Sequence, residues 1–501
     1  MPKFLTRAPL ALAVTLATAS GAVMAQMTPG YSAYEVPDYQ QGEAWLQQRL
    51  QQTDPGKKAR NLIFFLGDGM NIATLTASRI YQGQLMGRTG EENSLSFERF
   101  PASALVKTYN TNQQTPDSAG TITALMTGVK TEAGVLSIGP EQERGTCAGA
   151  KAHEVATLLE NASAAGYATG VVSTARITHA TPAATYAHSI ERDWESDADL
   201  SEEARQNGCQ DIARQLIDRG FAGGLDVAMG GGLGNFLLAS ANGRRQDEDL
   251  TARFRQQYPQ GQLLLSRNDL MAMSPATPIL GLFSTSHMDY EADRRKADEP
   301  AQPSLEEMTL TAIRVLQEQT RSSDQGYVLV IESGRIDHAH HAGNAYRALD
   351  ETVQLSDAVA TADQLTNDDD TLIIVTADHS HTFSMAGYQQ RGAPILGYAN
   401  GNEDKQEDTA YTTLGYANGP GATAHNHDKE PEDPDYLQAA LAPMSDETHG
   451  SDDVAAHAKG PGSQWFHGQL EQNSLYHLMV QSLQLSGSES ESRSANAEQS
   501  E

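Results

Sequence analysis

Three short, wholly apolar runs, each ending in acidic or imidazole side chains, constrain this chain more than any other feature. They are Leu62-Ile63-Phe64-Phe65-Leu66 before Gly67-Asp68-Gly69, Val328-Leu329-Val330-Ile331 before Glu332, and Leu372-Ile373-Ile374-Val375 before Thr376-Ala377-Asp378-His379. A run without polar alternation is buried on both faces, as a strand is inside a parallel sheet covered by helices. Helical patterns at His153 to Ala165, Asp211 to Arg219, Ser304 to Gln319 and Asn344 to Leu365 have the spacing of the crossovers such a sheet requires. The predicted class is α/β, with a large central, mostly parallel sheet flanked by helices. Ligands in open sheets of this kind bind beyond the carboxyl ends of the strands, so three strands that deliver carboxylates there describe one shared site.

Segments outside this rhythm divide the chain. Residues 1–25 read as a secretory signal: Lys3 and Arg7 give a positive start, Pro9 to Ala19 an apolar stretch interrupted only by Thr, and Val23-Met24-Ala25 a small-residue cleavage site. That stretch is shorter than the about 20 apolar residues of a membrane span, and no later stretch reaches that length. The expectation is an exported protein, periplasmic or secreted, without a membrane span. Residues 26–60 form an N-terminal arm with a short helical pattern from Gly42 to Gln52, placed to pack on its own body or on a partner. Residues 61–386 and 447–485 make the α/β body, and residues 387–446, rich in Gly, Pro, Asn and acid, a loop-rich, crown-like insertion. Residues 486–501 are an acidic tail too poor in apolar side chains to order itself.

Charge removes whole classes of partner. Acidic side chains outnumber basic ones 65 to 35, a formal charge of -30 that becomes -32 when Lys3 and Arg7 leave with the signal. No phosphate-neutralising patch exists, so nucleic-acid binding is not expected. The same acidity suits a salt-adapted protein, because screening removes the self-repulsion that otherwise destabilises a fold. Two cysteines, Cys147 and Cys209, are an even count in an oxidising compartment. They read as one disulfide, with two unpaired thiols as the alternative, and no zinc-thiolate pattern accompanies them.

Asp68, Glu332, Asp337 and Asp378 share their neighbourhoods with His338, His340, His341, His379 and His381. Bare charges at that density are costly beside apolar strands, and a metal neutralises them. Asp337 and His341 are four apart and share a face if the turn is helical, the spacing of two ligands to one ion. The Asp378-His379 pair, oxygen with nitrogen, suits Zn²⁺, whereas Asp, Thr and Glu oxygens suit Mg²⁺. Ser118, in Thr115-Pro116-Asp117-Ser118-Ala119-Gly120-Thr121, opens a helical pattern. Taken alone, a Ser or Asp there is an ordinary helix cap. The run Gly230-Gly231-Gly232-Leu233-Gly234 lacks the full dinucleotide fingerprint and reads as a tight turn at a strand end.

These residues together resemble the alkaline phosphatase family. The matching segments are Phe65 to Met70, Pro116-Asp117-Ser118-Ala119, Ser173 to Arg176 through His179-Ala180-Thr181-Pro182, Glu332 through His341, Thr376 to His379, and Thr448-His449-Gly450, in the family's order and spanning Asn61 to Leu483. Ala187-His188-Ser189, Arg192-Asp193-Trp194, His340-His341 and the insertion after His381 are more similar to the animal enzymes than to the enteric bacterial one.

The resemblance implies two Zn²⁺ and one Mg²⁺ per subunit. One zinc falls to Asp337, His341 and His449, the other to Asp68, Asp378 and His379 with Ser118 completing it. Magnesium falls to Asp68, Thr181 and Glu332, so Asp68 bridges two metals. It further implies that Ser118 is the nucleophile, that Arg192 clamps phosphoryl oxygens, and that Asp117 positions Arg192 or the helix of Ser118. His179 and His340 would stand behind the ligands, near magnesium and phosphate. Cys147 and Cys209 match a disulfide of the animal enzymes, and the family's usual homodimer is implied. Its calcium ligands do not carry over around Leu282-Phe283-Ser284, where an expected Glu is missing.

The implied reaction is hydrolysis of phosphate monoesters to alcohol and inorganic phosphate through a phosphoserine, with broad specificity because nothing in the scheme contacts the alcohol. A sulfatase fits less well, since the residues around Ser118 lack the Cys/Ser-x-Pro-x-Arg pattern. A phosphomutase could share such a core, but the ligand in Thr448-His449-Gly450 favours the phosphatase. An exported metal- or phosphate-binding protein would need the ligands and no nucleophile.

Overall fold

The computed structural model describes residues 33–52, 56–399, 411–423 and 429–485. The expected signal at 1–25, the start of the arm, two stretches of the insertion and the tail from 486 lie outside the described residues.

Eight strands of the main sheet are β1 (Asn61–Gly67), β2 (Ala102–Lys107), β3 (Ala168–Arg176), β4 (Leu225–Gly231), β5 (Gln262–Leu264), β6 (Ile279–Leu282), β7 (Tyr327–Ser333) and β8 (Thr371–Thr376). Val454–Lys459 and His467–Glu471 complete a 10-stranded sheet, in the order His467–Glu471, β2, Val454–Lys459, β8, β1, β7, β3, β4, β6, β5. Val454–Lys459 runs against both its neighbours, so the sheet is mixed, while β1, β7, β8, β3 and β4 pair in parallel. The three apolar runs are β1, β7 and β8, and every residue in them is buried. Burial of each large apolar side chain there contributes about 1.5–3 kcal/mol.

Register sets the site. Leu66 lies opposite Glu332 on one side and Thr376 on the other, and Ser173 of β3 lies opposite Glu332. The chain therefore leaves β1, β7 and β8 at one level, and Asp68, Glu332 and Asp378 emerge side by side.

The helices follow their caps. Leu305–Gln319 starts where Ser304 and Glu307 exchange hydrogen bonds as a capping box. Ala345–Leu365 starts at the Asn344 cap, whose side chain accepts from the Arg347 amide. The pattern beginning at His153 yields a shorter helix, Leu158–Ala164, because the Thr157–Glu160 capping box fixes its start. From Ile212–Gln215 the chain widens into a π-helical turn over Leu216–Phe221.

The arm forms a helix over Pro37–Gln52, longer than its pattern, and packs on Ser474–Leu483 of its own body. Tyr39 meets the His477 ring at 4.6 Å, and Gly42 lies so close that a Cβ would come within 2.5 Å of that ring. Leu414–Gly419 and Ala440–Pro443 of the insertion add to Phe383–Met385 of the body to make a three-stranded sheet. Phe383, Leu414 and Tyr416 form a second core with Ile80, Tyr81, Leu349 and Val353. Cys147 and Cys209 form a disulfide with Cα atoms 6.1 Å apart. It sits in a small cluster with Ile190 and Trp194, which flank Arg192. Among the described residues no helix is long and apolar enough to cross a membrane.

Candidate active site

Each strand end delivers its carboxylate through a tight turn. After β1 the chain turns at Gly69, with φ +67, and a Cβ there would stand 2.3 Å from the His381 ring. Only glycine fits both the left-handed backbone and that approach. After β7, the helix Arg335–His341 carries Asp337 and His341 on one face, with His341 Nε2 3.3 Å from Asp337 Oδ1. After β8 come Asp378 and His379, both wholly buried. His449 arrives on a two-stranded ribbon in which it pairs with His381.

Among the described residues three groups of ligand atoms result, the atoms within each lying no more than 4.8 Å apart: Asp337, His341, His381 and His449; Asp68, His179 and Glu332; and Asp68, Asp337 and His379. The spacing fits zinc. Tetrahedral bonds of about 2.0 Å hold ligand atoms about 3.3 Å apart. In the first group the His449 Nε2–His341 Nε2 and His449 Nε2–Asp337 Oδ1 separations are 3.1 and 3.4 Å. Around His379 Nε2 stand Ser118 Oγ at 3.0 Å, Asp68 Oδ1 at 3.2 Å and Asp378 Oδ2 at 3.5 Å. Asp68 Oδ2, Thr181 Oγ1 and Glu332 Oε1 are buried and have no hydrogen-bond partner, as hard-cation donors would be.

Electrostatics points the same way. Burial and the facing Asp378, Asp337 and Glu332 push the Asp68 carboxyl well above the usual range. Burial lifts Glu332 to about 7. Burial opposes ionisation of Asp337 too, but His341, His381 and His449 outweigh it and hold its carboxyl well below the ordinary value. Buried carboxylates so crowded are the environment a cation stabilises.

Ser118 is the first residue of the helix Ser118–Thr127, and the cap is Asp117, not the serine. Asp117 Oδ1 accepts from the Gly120 amide at 3.1 Å and Oδ2 accepts from Arg192 Nη1 at 2.9 Å. One carboxylate thus fixes both the helix that presents Ser118 and the guanidinium, leaving the serine hydroxyl free of a capping role. Burial works against ionisation of Asp117, and Arg192 outweighs it, so its carboxyl lies below the usual range.

The structure keeps His179 in its expected neighbourhood, with Asp68 and Glu332, and moves His340 out of it. His179 faces Arg192 Nη2 at 3.2 Å, and the imidazoles beside it are His287 and His338, with ring centroids 5.3 and 5.4 Å away. His340, expected beside magnesium and phosphate, is buried instead between Thr74 Oγ1 at 2.9 Å and the Tyr416 hydroxyl at 2.9 Å. A helix turns about 100° per residue, so positions two apart face away from each other. His381 joins the Asp337 group, its Nε2 2.8 Å from Asp337 Oδ1, although the family resemblance assigns it no ligand position. Its alternation with His379 along the chain was the available signal.

The chain is similar to known proteins over most of its length. The alkaline phosphatase family model matches residues 59–485. The tissue-nonspecific alkaline phosphatase of Gallus gallus is 42% identical over 445 residues, covering 84% of each chain. The alkaline phosphatase of Gadus morhua is 40% identical over 463 residues, 87% of this chain and 95% of that one. Among solved structures, Thermus thermophilus alkaline phosphatase superposes with a TM-score of 0.64 at 23% identity, covering 88% of this chain and 95% of its own, a likeness of fold. With that match across the strand ends, the Ser118 helix and the His449 ribbon, the chain belongs to the alkaline phosphatase family and is a phosphatase enzyme.

Proposed function

We propose that this phosphatase is exported, depends on two Zn²⁺ and one Mg²⁺, and hydrolyses phosphate monoesters of broad type through a phosphoserine at Ser118. The observation that carries this reading is Ser118 Oγ beside the Asp68, Asp378 and His379 group, 3.0 Å from His379 Nε2. Asp337, His341 and His449 would hold one zinc, Asp68, Asp378 and His379 the second, and Asp68, Thr181 and Glu332 magnesium. Bound there, the metals supply Lewis acidity and lower the pKa of nearby oxygen nucleophiles.

The chain's own residues do the rest. Ser118 Oγ bonds to phosphorus as the ester oxygen leaves in line on the opposite side and is released as the alcohol. Water then displaces Ser118 from the phosphoserine and inorganic phosphate departs. Arg192, anchored by Asp117, offers its remaining N–H donors to two phosphoryl oxygens. Local positive charge is required because the whole chain carries a formal charge of -30.

The test is phosphate release from an aryl phosphate at alkaline pH, before and after chelation and after return of Zn²⁺ with Mg²⁺, with acid-quench trapping of labelled phosphoenzyme. Activity lost and regained, with label on wild type and none on Ser118→Ala, is the expected result. No turnover in the metal-replete protein would move an exported binding protein forward. The acid excess supports salt adaptation, and a thermal midpoint that falls steadily as salt rises would overturn that part. A homodimer is proposed from the family habit alone, and sedimentation tests it.

A further inference from the structure

We propose that Glu447 is the positioning residue of the Asp337, His341, His381 and His449 group, acting through its carboxylate on His381 and its main-chain carbonyl on His341. The proposal rests on the reading of Asp337, His341 and His449 as the ligands of one zinc, with His381 beside them.

Glu447 has a completely buried side chain and belongs to none of the three ligand groups found among the described residues. Every polar atom it brings is nonetheless committed to the site's surroundings. Carboxylate Oε2 stands 2.5 Å from His381 Nδ1, and His381 Nε2 stands 2.8 Å from Asp337 Oδ1, so the imidazole bridges two carboxylates. A ring held between two acceptors donates at both nitrogens, and it fixes the rotamer of Asp337. The second oxygen, Oε1, accepts from the Thr382 amide at 2.6 Å and the Thr382 hydroxyl at 2.5 Å. The carboxylate itself is therefore held from both sides.

The carbonyl does separate work. It accepts from His341 Nδ1 at 2.5 Å, which places the proton on Nδ1 and leaves Nε2 as a lone pair facing Asp337 and His449. Such partners behind a ligand set its tautomer, orientation and basicity, and their loss costs about 10–100-fold in metal affinity. His449 is fixed independently, its Nδ1 donating to the Pro116 carbonyl at 2.7 Å. Glu447 is in turn backed by the small sheet. Gly419 packs against it so that a Cβ would stand 3.1 Å from Glu447 Cβ, and Asn418 accepts from the Thr448 amide at 3.0 Å. The strand Leu414–Gly419 thus reaches the metal group through one residue.

Glu447→Gln tests the carboxylate, because the amide offers one acceptor where two are needed and leaves the main-chain carbonyl in place. Zinc content by elemental analysis after dialysis, and zinc affinity by competition with a chromophoric chelator, are read on wild type, Glu447→Gln, His381→Gln and the double variant. Expected is an about 10–100-fold weakening at one of two zinc equivalents in each single variant. The double variant should lose no more than either single one, since both changes break one chain. Wild-type zinc affinity in Glu447→Gln, or losses that multiply in the double variant, would overturn the proposal. Thr382→Val separates positioning from folding: it should lower the thermal midpoint and leave zinc affinity within about twofold, and a zinc loss equal to that of Glu447→Gln would also overturn it. Wild type that binds no zinc at all would sink the metal reading itself, whereas zinc-replete wild type with an unaltered Glu447→Gln sinks only this inference.

Discussion

The two halves of the site are built by different means. Asp68, Asp378 and His379 stand at the ends of adjacent strands, where hydrogen-bonded register fixes their level before any side chain is considered. Asp337, His341 and His449 depend on the start of a helix and on a two-stranded ribbon, and they reach position through side-chain and carbonyl contacts with Glu447 and Pro116. Strand register is backed by wholly buried β1, β7 and β8, whereas the ribbon pairs only His449–Gly450 with Ser380–His381. The lesson is that a rigid sheet can carry the nucleophile's half while the other half is adjustable through a few polar contacts.

The comparison breaks most directly at the nucleophile. Ser118→Ala should lower kcat by at least about a thousandfold, judged by losses when a nucleophile is removed from a catalytic constellation. Metal content should barely change, because His379, Asp68 and Asp378 remain. A variant that loses its zinc along with its activity would show that the strand-end half is not self-sufficient. Asp68→Asn comes next. Oδ1 of Asp68 faces His379 and the same carboxylate also groups with Glu332 and His179, so zinc and magnesium should both weaken, by about 10–100-fold each. Elemental analysis showing loss of zinc alone would separate positions that the bridging carboxylate is taken to join.

Arg192→Ala sharpens the comparison with a smaller effect. Removal of a charge-assisted clamp worth about 1.5–3 kcal/mol should weaken inorganic phosphate as an inhibitor by about 10–100-fold. Zinc affinity should stay unchanged, because Arg192 contacts Asp117 and His179 and neither zinc group. A zinc loss in this variant would mean that the loop flanked by Ile190 and Trp194 supports the metals as well as the phosphate.

What was legible in the chain divides along the same line. Unbroken apolar runs ending in Asp68, Glu332 and Asp378 announced both the sheet and the strand-end half, since burial on two faces leaves no other assignment. Asp337 and His341 were legible through helical spacing. His338 and His340 were not, because three histidines in four positions hide helical phase, and the phase sends His338 toward His179 and His340 into the insertion's core. Glu447 was invisible for a different reason. Its partners His381 and His341 lie 66 and 106 positions away, and nothing local distinguishes it from other acids of the segment. The two cysteines, compatible with a bridge or with free thiols, needed the fold to bring their Cα atoms to 6.1 Å.

The smallest effect concerns how the strand-end half holds its arginine loop against acid. His188, in the segment leading to Arg192, donates toward Glu160 at 3.0 Å, and Arg219 Nε stands 3.1 Å from the same oxygen. Burial raises the Glu160 pKa, but His188 and Arg219 outweigh it and bring it to about 2 from an ordinary 4.5. A carboxylate with a depressed folded-state pKa contributes stability that is fully present above the unfolded value and is lost as pH falls through the folded one. The contribution should therefore stand at neutral pH, start to fade near 4.5 and be gone below about 2. Glu160→Gln removes the charge and should cost about 1–3 kcal/mol at pH 7, read by denaturant melts. The gap between wild type and variant should close over that acid window, whatever the metals do, because both proteins lose them together. A gap constant from pH 7 to pH 3 would assign Glu160 a packing role only, and the acid sensitivity of the arginine loop would then lie elsewhere in the strand-end half.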